Sequence, residues 1–407
     1  GSEMCIRDSL YLPHEITDLS LLPVNVPTGG WQTLSHNPDA VPVEVPGTVE
    51  EYLTVTDNPR PENFRGVSWW YRKITIPADQ QKKRFIINFE SVRMRAEVYL
   101  DGKLVAYDLI GETPFHVDIT DEAKPGKEQL LAIRVTNPGG NFHWQDFDIM
   151  KWGEYNIPPS RSFTGIIGRV KLESVNPVFI SDIYMQNTPE LTKVNAILSF
   201  TNETSSSVKQ DVELIVNEKG NPDKVVFRQT LKAISFPAGN HEVTIPVNVP
   251  DAKLWDLSTP ELYTCNVLIK KGKKMLDQDK KDFGFRWFTV DGVGKDAVLR
   301  LNGRRIMLRS AISWGYFPVT GLIATTEMAE KQVCTAKSLG LNMLNFHRCI
   351  GSPVVLEKAD ELGLLYYEEP GSFHSANHDP FIRTIVNEKL KRMVYRLSLI
   401  HISEPTR

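Results

Sequence analysis

Two adjacent carboxylates, Glu368 and Glu369, close the apolar run of "ELGLLYYEEPGSF" at residues 361–373. Paired carboxylates are the ordinary equipment of acid–base hydrolysis, one kept protonated and the other ionised by different surroundings. Adjacency works against that use here. Successive side chains on an extended backbone point to opposite faces. At most one of the two can face a pocket, and the other must face a helix layer or satisfy loop amides. A second concentration of reactive types is "NPGGNFHWQDFDIMKWGEYNIPPSRSF" (137–163), which holds His143, Trp144, Asp146, Asp148, Trp152 and Tyr155. Long loops in compact domains are usually functional or disordered, and this aromatic content argues for order. The cysteines add little. With Cys5 set aside, Cys265, Cys334 and Cys349 are scattered and form no CxxC pair, so they read as small buried apolar side chains.

The elements that must position these residues follow from hydrophobic period. "RFIINFESV" alternates Phe85, Ile87 and Phe89 against polar neighbours, and "RAEVYLDGKLV" sets Ala96, Val98 and Leu100 on one face before an Asp101-Gly102 turn. "EQLLAIRVTNP" alternates through Leu131, Ile133 and Val135 and stops at Pro138. Short alternating runs with turn signals predict a β-sandwich over residues 10–176. A second β region, 177–290, alternates in "VNAILSFTN", "DVELIVNE", "HEVTIPVNVP" and "YTCNVLI". Its strand count and length suit an immunoglobulin-like sandwich, without the Cys–Trp–Cys core. After residue 300 the period changes. "TTEMAEKQVCTAKSLG" predicts a helix with Thr325 as N-cap, a buried stripe of Ala329, Val333 and Ala336, and Gly340 as stop. "SPVVLEKADELG" predicts a second helix entered at Ser352-Pro353 and ended by Gly363. A third, about 380–396, presents Ile382, Ile385, Leu390 and Val394. With "RRIMLRSAI", "LNMLNF" and "LLYYEE" as strands, this is a parallel α/β unit. It is shorter than the roughly 250 residues of a closed eightfold barrel.

The chain has 407 residues, 41% hydrophobic and 24% charged, with a formal net charge of −3 and no long single-sign run. Such a balance gives no footing for nucleic acid. No apolar run approaches the roughly 20 residues that span a bilayer. "SEMCIRDS" (2–9) and "LSLIHISEPTR" (397–407) resemble translated sequencing-adapter read-through. Residues 1–9 and 397–407 are therefore set aside as non-native tails. The native start and the downstream part of the protein are expected to lie outside this sequence.

In their order, the local strings resemble glycoside hydrolase family 2 over about residues 40–396. "VEVPGTVEEYL", "GVSWWYRKITIP", "FESVRMRAEVYLDGKLV", "ETPFHVDIT", "LLAIRVTNP" and "SFTGIIGRVKLESV" are similar to its sugar-binding sandwich. "LWDLSTPELYT" and "DFGFRWFTVDG" are similar to the end of its middle domain, and "LRLNGRRIMLRSA" to the hairpin feeding its first barrel strand. The resemblance implies a multidomain β plus α/β protein. Its parts would be a jelly-roll sugar-binding domain (10–176), an immunoglobulin-like domain (177–290), and the first part of a TIM (β/α)8 barrel (291–396).

It further implies a retaining exo-β-glycosidase acting on a carbohydrate, with one Glu as acid/base and a second as nucleophile. In the family these follow the fourth and seventh barrel strands, beyond the third helix where this chain stops. Asn387-Glu388 lies in a helical pattern and reads as a surface pair. Both catalytic glutamates are then absent, and the chain alone is expected to be inactive. The resemblance matches Glu369 to the Glu after the third strand, as a sugar contact or supporting carboxylate, with a structural role as the alternative. At the second strand's end the family's Arg-x-x-His becomes Asn345, Phe346, His347 and Arg348, so His347 and Arg348 stand for sugar or carboxylate contact. After the first strand Asn-Arg-His becomes Ile312, Ser313 and Trp314. Trp314 suits stacking on a sugar ring, or packs under a loop. Phe373, His374 and Ser375 do not reproduce the family's magnesium motif, so no metal is expected, and no cofactor is implied. Trp144, Asp146 and Trp152 are expected to help shape the sugar pocket, or else to pack domains together. Secretion or a periplasmic location is common in the family. The sugar, the linkage and the oligomeric state, a homo-oligomer included, stay open.

Overall fold

The computed structural model describes residue 19 and residues 24–53, 64, 66–137, 150–152, 155–157, 163–317, 321–347, 349–370 and 380–396. In the first β region, Gly66–Thr75, Glu128–Asn137, Arg95–Leu100 and Lys103–Asp108 form an antiparallel sheet in that order. It faces the strands Val170–Val175, Arg84–Phe89 and Phe115–Asp118. Phe85, Ile87 and Phe89 meet Ala96, Val98, Leu100, Leu131, Ile133 and Val135 in the core between them, as their alternation predicts. Asp101 and Gly102 take φ of 49° and 83° at the turn. One feature has no sequence signal: Arg95, Glu97 and Tyr99, on the outer face, are buried as well. The segment around Asn25–Leu34 crosses over them. Asn25 Nδ2 and Tyr99 OH donate to Glu97 Oε2 at 2.8 and 2.7 Å, and Arg134 Nη1 reaches Oε1 at 3.0 Å. A carboxylate tolerates burial only with such partners.

The second β region contains seven antiparallel strands between Val178 and Phe283, in sheets of three and four. Val194, Ala196, Leu198, Phe200, Val212, Leu214, Val216, Ile245 and Val247 fill the space between the sheets. Cys265 is buried there, and its surroundings push the thiol up to about 12. Cys349 is also buried, but Cys334 is exposed on a helix, against expectation. Its position lies off the stripe that faces the strands.

Burial also raises the carboxyls of Asp182 and Asp277 above the ordinary 3.8, against the pull of Lys281 and of the Ile180 amide respectively. Raised folded-state values mean that protonation favours the fold. Their contribution is present at low pH and lost as pH rises through the raised values. The double variant Asp182→Asn, Asp277→Asn should therefore melt above the parent at pH 7, and the difference should vanish on acidification. Parallel melting curves across pH 4–7 would contradict this.

The parallel unit comprises β1 (Ser310–Ser313), α1 (Thr326–Ser338), β2 (Met343–Phe346), α2 (Pro353–Leu362), β3 (Leu365–Glu368) and α3 (Pro380–Arg396). The strands run parallel in the order β1-β2-β3, with Ser313, Phe346 and Glu368 in register. Thr325 Oγ1 accepts from Met328 N at 3.2 Å, and Ala329, Val333 and Ala336 are the buried face of α1. Leu344 and Phe346 pack on the helices, while Ile312 and Tyr367 on the other face are 54% and 55% exposed.

The third helix differs from its expected stripe. Leu390 and Val394 are exposed, and Ile385, Lys389 and Met393 are buried instead; the Ile382 side chain lies outside the described residues. The cause is docking on the first β region. Ile385 packs with Met94, Leu109 and Ile110, Lys389 Nζ pairs with Glu112 Oε2 at 2.6 Å, and Arg392 Nη1 pairs with Asp108 Oδ1 at 2.6 Å. A lysine can hold a buried position when its stem is packed and its ammonium is paired.

A second joint ties the parallel unit to the second β region. Arg286 Nη1 meets Asp360 Oδ1 at 2.9 Å, and its guanidinium carbon lies 4.4 Å from the centre of the Trp255 ring. The indole nitrogen of Trp255 donates to Asp360 O at 2.7 Å. Lys337 Nζ donates to Leu257 O and Gly363 O at 2.7 and 3.1 Å, and also to Leu362 O.

Candidate functional site

Register builds the site. Ser313, Phe346 and Glu368 stand side by side at the carboxyl ends of β1, β2 and β3. The next residue on each strand, Trp314, His347 and Glu369, is therefore brought into one row. The Trp314 and His347 rings meet edge to face, centroids 4.9 Å apart and planes at 78°. His347 Nδ1 lies 3.3 Å from Glu369 Oε1. An ionised carboxylate only accepts, so it places the imidazole proton on Nδ1 and fixes the ring's orientation. Backbone bonds hold the row: His347 N donates to Ser313 O at 3.1 Å, and Glu369 N to Cys349 O at 3.3 Å. Ser313 Oγ accepts from Gln332 Nε2 at 3.1 Å and from Gly315 N at 3.3 Å, which steadies the turn that carries Trp314. An aromatic face, an oriented imidazole and a carboxylate at one strand edge can stack on an apolar ring face and bond its hydroxyls.

The adjacent glutamates part as an extended backbone requires. Glu368 is buried on the helix side, where its Oε1 accepts from Gly351 N at 2.6 Å. It anchors the loop after β2, while Glu369 goes to His347. A Cβ on Gly351 would lie 2.9 Å from Glu368 Oε1 and 2.9 Å from the Phe346 ring. Gly351→Ala should thus cost about 1–3 kcal/mol through overpacking, read as a lowered urea midpoint at unchanged m-value. A midpoint equal to the parent's would show that the loop yields freely.

Asn345 was legible only as the replacement of an arginine. It stands in register between Ile312 and Tyr367 on the open face, and its Oδ1 is shielded from solvent with no hydrogen bond among the described residues. Asn387 is exposed on α3, and Glu388 Oε1 accepts from Arg392 Nε at 3.1 Å, so that pair is a helix-surface feature. Arg348, Trp144, Asp146 and the Phe373–Ser375 positions lie outside the described residues. Trp152 pairs with Tyr155 in a two-stranded hairpin whose second strand, Tyr155–Ile157, lies against α3. Phe163, the last residue of the 137–163 stretch, touches Tyr316 with centroids 5.6 Å apart. Sequence reasoning passed over Phe163 and Tyr316, whose only signal was aromatic type beside a loop. Among the described residues no group of three or more His, Cys, Asp or Glu is placed to hold a metal ion. No described helix is long and apolar enough to cross a membrane.

A separate cavity of about 1380 Å³ follows the strand Gly66–Thr75 and is lined by Tyr52, Trp69, Tyr71 and Val43 among others. The Trp69 ring there packs on Trp31 and Tyr99.

Residues 24–156 match the family model for the sugar binding domain of glycosyl hydrolases family 2, and residues 178–286 match the model for glycosyl hydrolases family 2. A β-glucuronidase of Formosa agariphila is 24% identical over 319 residues, covering 74% of this chain and 32% of that relative. A β-galactosidase of Thermoanaerobacter pseudethanolicus is 28% identical over 338 residues, covering 82% of this chain and 43% of that relative. The crystal structure of a Bacteroides uniformis β-glucuronidase superposes with a TM-score of 0.73 at 21% identity, covering 88% of this chain and 42% of that one. The chain thus spans about a third to two-fifths of the length of these proteins.

Proposed function

The chain belongs to glycosyl hydrolase family 2, and from that premise we propose that it is part of a retaining exo-β-glycosidase that removes terminal β-linked sugars. The observation that carries this reading is the row Trp314–His347–Glu369 at the carboxyl ends of three parallel strands. In parallel α/β enzymes that edge is where ligands bind. The finer architecture belongs to the same proposal: a jelly-roll domain at 10–176, an immunoglobulin-like domain at 177–290, and the opening of a (β/α)8 barrel at 291–396.

In this reading the chain's own residues bind and orient the sugar. Trp314 stacks on its C–H face, and Glu369 holds His347 for a hydroxyl. Retention requires two carboxyls about 5–5.5 Å apart across the scissile bond. Glu368 and Glu369 do not supply them, because one is committed to Gly351 N and the other to His347. The acid/base and nucleophile then belong to the part of the relatives' length that this chain does not span. Residues 1–407 incubated with 4-nitrophenyl β-D-glucuronide and 4-nitrophenyl β-D-galactoside should release no nitrophenol above the buffer rate. Turnover above that rate would overturn the assignment of the catalytic pair elsewhere.

A second reading, glycan binding by the first β region alone, draws on the cavity along Gly66–Thr75. It predicts that sugar affinity survives loss of His347.

A further inference from the structure

We infer that Phe163 and Tyr316 form an aromatic wall for the leaving group, contributed jointly by the first β region and by the loop that leaves β1. This rests on the reading of Trp314, His347 and Glu369 as the contacts of the terminal sugar. Those three sit at the strand ends and make the floor. The chain then runs from Trp314 through Gly315 to Tyr316 and folds back, with Phe317 N donating to Gly321 O at 2.6 Å and Gly321 N donating to Phe317 O at 3.1 Å. The Phe163 ring lies against this fold. Its centroid is 5.6 Å from that of Tyr316, the two planes at 52°. A Cβ on Gly321, whose φ is +65°, would meet the Phe163 ring at 2.5 Å. Glycine is thus required twice there, by backbone conformation and by the ring.

Phe163 is also firmly mounted. Its neighbour Thr164 is fully buried, donates its N–H to Glu50 Oε2 at 3.0 Å, accepts from Val49 N at 2.7 Å, and accepts at Oγ1 from Asn137 Nδ2 at 2.6 Å. The first β region therefore delivers one fixed ring to a loop that begins at the proposed sugar platform. Both rings are half-buried, which leaves part of each for a ligand. A pocket that takes the terminal sugar at the strand ends leaves the other side of the glycosidic bond to its surroundings, and Tyr316, two residues past Trp314, lies there with the Phe163 ring of the first β region against it. Two tilted aromatic faces suit an aryl group or the apolar face of a second sugar.

The test compares methyl and phenyl β-D-galactoside, and the corresponding β-D-glucuronides, by isothermal titration on residues 1–407. Phe163→Ala should weaken the phenyl glycoside roughly three- to tenfold, the effect of one lost aromatic contact, and leave the methyl glycoside unchanged. Tyr316→Leu keeps apolar volume and should do the same, so the test survives if Phe163→Ala fails to fold. Gly321→Ala, which displaces the Phe163 ring, should follow Phe163→Ala. Rings that only join the two regions would shift the melting temperature and leave the phenyl-to-methyl affinity ratio constant, and that result overturns the inference. A parent chain that binds none of the four glycosides rejects the underlying sugar site and the inference with it. Binding of the methyl glycosides with an unchanged ratio in the variants rejects the inference alone.

Discussion

Arg286→Ala is expected to lower the stability of the chain by about 3–5 kcal/mol, the cost of removing one member of a buried ion pair. Arg286 and Asp360 side chains are only 6% and 7% exposed. Burial pushes the Asp360 carboxyl up while Arg286 pulls it down. Removal of the guanidinium leaves a buried acid without its ion-pair partner, with only the more distant pull of Lys219, and uncovers the face of Trp255 that it overlies. Trp255 is itself fully buried and tied to Asp360 O, so the damage extends across the joint between the second β region and α2. Arg286→Lys should recover little, because an ammonium lacks the planar group that lies over the indole. The double variant Arg286→Ala, Asp360→Asn should be less destabilised than the sum of its single variants, since its neutral amide strands no charge. Urea unfolding gives the comparison. A loss below about 1 kcal/mol for Arg286→Ala would show that the pair does not secure the joint.

His347→Ala is expected to weaken sugar binding by roughly 2- to 12-fold, equivalent to a hydrogen bond of about 0.5–1.5 kcal/mol between a neutral imidazole and a hydroxyl. The geometry behind this is local. His347 meets Trp314 edge to face, and Glu369 fixes its tautomer. Glu369→Gln should cost less than His347→Ala, because the amide oxygen can still accept from Nδ1 but without charge assistance. Stability should change little in either variant, since both side chains lie at the strand ends outside the apolar clusters. Titration with methyl β-D-galactoside and methyl β-D-glucuronide measures the effect. Full affinity in His347→Ala would move the binding site to the cavity along Gly66–Thr75 and favour a binding protein without strand-end chemistry.

Much of the fold was legible because period-2 alternation is a local signal. The runs at Phe85–Phe89 and Val194–Phe200 face their cores as written. The α1 stripe and the Thr325 cap were equally local. The α3 stripe was not legible. Leu390 and Val394 suit a buried face by type, yet Lys389 and Arg392 decide which face is packed, through Glu112 and Asp108, 277 and 284 residues earlier in the sequence. Outer-face burial at Arg95, Glu97 and Tyr99 was hidden for the same reason. Polar types on alternate positions announce solvent until another segment arrives with matching hydrogen bonds.

The candidate site divides along the same line. Sequence alone determined that Glu368 and Glu369 diverge, since a strand's side-chain direction is fixed by its own backbone. It also placed Trp314, His347 and Glu369 each at the end of a strand. Only the tertiary structure decided that β1, β2 and β3 align so that these three meet, and that Phe163 is carried to Gly321 across more than 150 residues of chain. Direction along one strand is a short-range steric property. Register between strands, and the approach of distant loops, are set by the packing of whole surfaces that no local pattern encodes.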